Sequence, residues 1–117
     1  MKRASIVMLL LVLSLATVSG AEDAPKTVTL KGEVVDLHCH ITKGASGEKH
    51  AGCAEACISR GVPAGFLAEN GTLYVLLDEK MISVKDKVAG KVGKPLTATG
   101  FLVEKDGLRL LKLISLE

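Results

Sequence analysis

Thr27-Val28-Thr29-Leu30-Lys31-Gly32-Glu33-Val34-Val35-Asp36-Leu37 is the stretch on which the fold turns. Val28, Leu30 and Val34 fall on one face, and Thr27, Thr29, Lys31 and Glu33 on the other. Alternation with a period of two predicts a half-buried strand. Gly32 interrupts it near the middle. Glycine inside a strand marks a bend or bulge, which a barrel needs at its corners.

Downstream, two hairpins are written plainly. Ala64 to Glu69 and Thr72 to Leu77 flank Asn70-Gly71, a strong short-range hairpin signal. Leu96 to Glu104 and Leu108 to Leu116 flank Lys105-Asp106-Gly107. Between the hairpins, Asp78 to Lys94 is polar and Lys-rich, with room for one short helix around Ser83 to Ala89. A second helix is expected between the first strand and the first hairpin. Lys43-Gly44-Ala45-Ser46-Gly47 is a flexible loop, Ser46 a candidate N-cap, and Glu48 suits the positive helix end. The helix runs to about Arg60, where Gly61 can adopt the left-handed cap and Pro63 prevents continuation. Gly61, Pro63 and Gly65 therefore read as structural turn residues.

The expected class is mainly β with one α-helix, carried by a Cys/His-bearing insertion between strands one and two. Five strands with a helical element between the third and fourth match an OB-like Greek-key barrel. Closing the barrel also removes sheet edges. An open meander packed on the helix is the competing architecture. In the barrel reading, the insertion between strands one and two carries the chemistry.

All three cysteines and all three histidines lie between His38 and Cys57. Thiolate sulfur and neutral imidazole nitrogen are ligands for zinc and copper. His50, Cys53 and Cys57 have the spacing that shares one helix face. Ala51, Gly52, Ala54 and Ala56 surround them, so another backbone can approach closely. The natural partner is the end of the first strand, with Cys39. Cys39, His50, Cys53 and Cys57 then form a Cys3His set, a composition known for tetrahedral zinc. Three thiolates also suit copper(I).

His38 and His40 flank Cys39 and should point opposite to it on an extended chain. They are further candidate ligands only if the chain turns there. Asp36 is a candidate hydrogen-bond acceptor for a ligating imidazole, or else a cap of the loop. The competing reading is a disulfide from Cys39 to Cys53 or Cys57, the third thiol buried as a small hydrophobe. An odd cysteine count leaves one thiol over in that case.

The N-terminus reads as a signal peptide. Lys2 and Arg3 precede an apolar run from Ile6 to Leu15, and Ser19-Gly20-Ala21 suits cleavage after Ala21. The run is shorter than the roughly 20 residues of a membrane span. Of 117 residues, losing 21 leaves 96, enough for one domain. The expected organisation is a signal peptide over 1–21, a flexible leader over 22–26 and an OB-like domain over 27–117. The destination is the periplasm, or the exterior where no outer membrane exists.

The mature chain carries 13 basic and 13 acidic residues, since Lys2 and Arg3 leave with the signal. Neutrality gives no electrostatic footprint for nucleic acid. Phe66, Tyr74 and Phe101 are the three aromatics, too few for base stacking. No C-x-x-C-H haem motif, C-x-x-C redox pair, catalytic triad or phosphate-binding loop is present, so no enzyme is expected.

Gly32-Glu33-Val34-Val35-Asp36-Leu37-His38-Cys39, then His50-Ala51-Gly52-Cys53-Ala54-Glu55-Ala56-Cys57-Ile58, then Gly61-Val62-Pro63-Ala64-Gly65, resembles a group of small exported bacterial proteins. They share a D-x-x-C … H-x-x-C-A-x-x-C-x-x-x-G-x-P-x-G pattern. The resemblance implies an exported OB-like body with a metal or thiol site, and supplies no substrate. Two functions follow as expectations. One is a binding domain with a Cys3His zinc or copper site, structural or metal-handling. The other is a disulfide-stapled module that binds an envelope protein without metal.

Overall fold

A computed structural model describes residues 25–117. The signal-peptide reading of 1–21 and the leader positions 22–24 lie outside the described residues. Five strands, β1 (Lys26–Asp36), β2 (Ala64–Ala68), β3 (Leu73–Asp78), β4 (Leu96–Lys105) and β5 (Leu108–Leu116), form a closed barrel. Around it the order is β1-β2-β3-β5-β4, and β4 returns to β1. Only β3 and β5 run parallel. This is the expected OB-like closure.

Gly32 is the corner. From Lys26 to Gly32, β1 pairs with β4; from Gly32 to Asp36 it pairs with β2. A Cβ at Gly32 would run into the Leu67 carbonyl oxygen and the Ala68 Cα. The close backbone approach that lets one strand serve two neighbours therefore excludes any side chain there.

The turns follow from their residues. Asp106 (φ 53°) and Gly107 (φ 81°) are both left-handed, as a two-residue type I′ hairpin requires. In the β2–β3 turn, Gly71 has φ 85°, and Asn70 Oδ1 accepts from the Thr72 N–H at 3.0 Å.

Inside the barrel, Val34, Phe66, Ala98, Leu111 and Leu113 are fully buried. Fully burying an apolar side chain of this kind stabilises by about 1.5–3 kcal/mol. Helix α2 (Ala51–Ser59) adds Ala54 and Ile58 to this core, and the short α3 (Lys85–Val88) adds Val88. Helix α3 falls where a helix around Ser83 to Ala89 was expected.

Asp78 locks α3 to the barrel. Its buried carboxylate accepts from the Lys80 N–H at 2.6 Å, and Lys87 Nζ lies 2.7 Å from the other oxygen. Lys87 also donates to the Leu113 carbonyl at 3.2 Å. The Lys87 bond, then the Lys80 amide, hold the Asp78 carboxyl below its ordinary 3.8 despite burial. A lowered folded-state pKa means stability that is present above the unfolded value and lost as pH falls through the folded one. Melting temperature is therefore expected to drop below about pH 4. The drop should be shallower in Asp78→Asn; equal acid slopes in the two proteins would contradict this assignment.

Candidate metal centre

The first strand ends at Asp36, and a second helix intervenes before the loop. This α1 covers Leu37–Lys43. The expectation of an extended chain through Cys39 is thus corrected. Asp36, in extended conformation, is the N-cap: its Oδ1 accepts from the Cys39 N–H at 2.8 Å. Gly44 (φ 66°) ends the helix, its N–H bonding to the Cys39 and His40 carbonyls. The start of α1 is also tied to the approach to β2, since the Leu37 N–H donates to the Pro63 carbonyl at 3.0 Å.

The second segment begins differently from the expectation as well. Ser46 is not the cap. Gly47 holds that position without a side-chain bond, and its N–H donates to Glu33 Oε2 at 2.7 Å. A 3-10 turn over Glu48–His50 then leads into α2. His50 therefore sits just before α2, and the single helical row through His50, Cys53 and Cys57 is broken at its first member. The end of α2 is as expected. Gly61 (φ 104°) donates to the Ile58 carbonyl and Val62 to the Cys57 carbonyl, a Schellman closure. Gly65 lies within β2 rather than in a turn, beneath the Leu37 side chain. Glu55, also on α2, accepts from the Gly90 N–H at 2.8 Å.

These local structures bring the donors together between α1 and α2. Donor atoms of Cys39, His50 and Cys53 lie within 4.8 Å of one another. So do those of Asp36, Cys39 and Cys57. Ligands around a tetrahedral zinc with 2.3 Å Zn–S bonds are about 3.8 Å apart, a separation inside the bound that both groups meet. Cys39 belongs to both groups. Three of the four expected ligands thus gather in one group, while the fourth, Cys57, is grouped with Cys39 and with Asp36, which was not an expected ligand.

Asp36 organises the site. Its Oδ2 lies 3.0 Å from His50 Nε2, while Oδ1 caps α1. The side chain is fully buried, and that of His50 is 21% exposed. A carboxylate accepts only, so the bonded Nε2 carries a proton, and in the neutral ring that leaves the Nδ1 lone pair for a metal. Both sequence readings of Asp36, cap and partner of an imidazole, hold in one residue. Burial alone would raise its carboxyl pKa, but the bonds from the Cys39 amide and from His50 outweigh it and hold it low.

Burial, and next the Asp36 carboxylate, push the Cys39 thiol up from its usual range. A cation must displace that proton, which makes binding weaker in acid. Arg60 reaches the other buried cysteine, its Nη2 lying 3.7 Å from Cys57 Sγ. Cys53 alone of the three faces solvent, and all three are free thiols. His38 is exposed, and His40 Nδ1 is engaged with the Ala45 carbonyl at 3.0 Å. Neither joins a donor group. On a helix, unlike an extended chain, they fan away from Cys39 at about 100° per residue.

A small closed β-barrel with a Cys/His donor cluster on its first connection is what fold and site define. No family model matches the chain, and neither does any curated protein or solved structure. Among the described residues, no helix is long and apolar enough to cross a membrane.

Proposed function

We propose that this chain is an exported metal-binding domain handling zinc or copper through Cys39, His50, Cys53 and Cys57. Cys39, His50 and Cys53 supply three ligands. Cys57, whose sulfur lies within 4.8 Å of that of Cys39, is the fourth. The observation that carries the reading is the Asp36 bridge. One buried carboxylate fixes both the helix that bears Cys39 and the ring of His50. Metal-ligating histidines commonly have such an acceptor behind them, fixing tautomer and orientation.

Exposure favours handling over a purely structural role. Cys53 lies at the exposed edge of the cluster, where an ion can be taken up from or passed to solution. Metal content and thiol count on the protein recovered in its exported form test the reading. Bound zinc or copper, with three thiols titrating after chelation and denaturation, is the expected result. Metal far below one ion per chain, with one free thiol and a formed disulfide, favours the stapled module instead.

A further inference from the structure

The division of donors around Cys39 has a consequence for stoichiometry that rests on the metal reading above. We infer that, loaded with copper(I), the cluster takes two ions bridged by the Cys39 thiolate. One ion sits among Cys39, Cys53 and His50, and the other between Cys39 and Cys57. The geometry is that of the two groups, each drawn within 4.8 Å, with Cys39 common to both. A soft monovalent ion is satisfied by few thiolates, so the pair Cys39 and Cys57 suffices without taking Asp36 from His50.

Charge points the same way. When the thiols release their protons, three thiolates and the Asp36 carboxylate bring four negative charges to one place. Arg60, beside Cys57, returns one positive charge. One zinc(II) leaves a single net negative charge. One copper(I) leaves two, and a second copper(I) brings the count back to the zinc value. Uncompensated charge beside a buried Cys39, Cys57 and Asp36 is costly. Zinc should therefore bind as one ion and copper(I) as two. No electron transfer is involved: cuprous ion is supplied as such, and each thiol proton passes to solvent.

The test is anaerobic titration of the reduced protein with copper(I), set against a competing cuprous chelator, beside a zinc titration. Two copper per chain and one zinc per chain are expected. Cys57→Ser and Cys53→Ser should each bind one copper, by losing one half of the pair. Cys39→Ser should lose the paired ions together, and circular dichroism of each variant separates lost ligands from lost fold. A copper–copper vector in X-ray absorption of the wild-type protein gives the bridge without any substitution. One copper at saturation, or two retained in a folded Cys39→Ser, overturns the bridge and leaves the metal reading standing. Failure to bind either metal overturns both.

Discussion

Asp36→Ala is expected to weaken zinc binding by about 10–100-fold and to destabilise the fold by about 1–3 kcal/mol. The stability loss comes from the α1 N-cap, whose bond is the one that Asp36 Oδ1 accepts from the Cys39 N–H. Losing a cap costs about 0.5–2 kcal/mol, and about 1–3 kcal/mol where the donor is left buried and unsatisfied. The affinity loss arises because His50 is no longer held by Oδ2 at 3.0 Å. Asp36→Asn separates the two effects. Asparagine caps helices as well as aspartate, so most of the stability should remain. Its amide NH2, however, faces His50 Nε2 with a donor and favours the tautomer protonated at Nδ1. The nitrogen needed for a metal is then blocked. Urea unfolding of the metal-free proteins and zinc competition titrations read the two quantities separately. An Asp36→Asn variant with wild-type zinc affinity would mean that His50 is not a ligand through Nδ1.

The larger effect on binding is expected from Cys39→Ser. Cys39 is the member common to both donor groups and is buried at 7% exposure. Serine keeps the helix geometry and its backbone bond to Asp36 but replaces the soft anionic ligand with a hydroxyl. The remaining donors, His50 with Cys53 on one side and Cys57 on the other, have no shared centre. Cys53→Ser, at the exposed edge, should weaken zinc binding less than Cys39→Ser. His38→Ala should change nothing, because its side chain faces solvent.

The barrel was legible because its signals are local. The alternation in Thr27 to Leu37, the glycine at 32 and the two turn sequences each act within a few residues, and β1 to β5 lie where those patterns put them. Helix α1 was not legible from periodicity. His38-Cys39-His40 alternates, and seven residues are too few to establish a helical repeat. Its boundaries were nevertheless written in the chain, with Asp36 as a helix-starting residue and Gly44 as a left-handed stop. The composition of the site was legible from the crowding of Cys and His into one segment. Its division was not. Whether Cys57 faces the same point as His50 depends on the 3-10 turn at Glu48–His50, which rotates His50 relative to the row on α2. The Asp36–His50 bond spans 14 residues and exists only because α1 folds the intervening chain back.

The central claim is that the Cys39, His50, Cys53 and Cys57 cluster holds a metal ion. It is tested most directly by the melting temperature of the reduced protein with and without zinc, beside the same pair of measurements on Cys39→Ser. A ligand that binds the folded state alone adds about 2.7 kcal/mol at one hundred times its dissociation constant. For a domain of this size that corresponds to a rise of roughly 10 °C or more. The account predicts such a rise in the wild-type protein and none in Cys39→Ser. Equal melting temperatures with and without zinc in the reduced wild-type protein would contradict it.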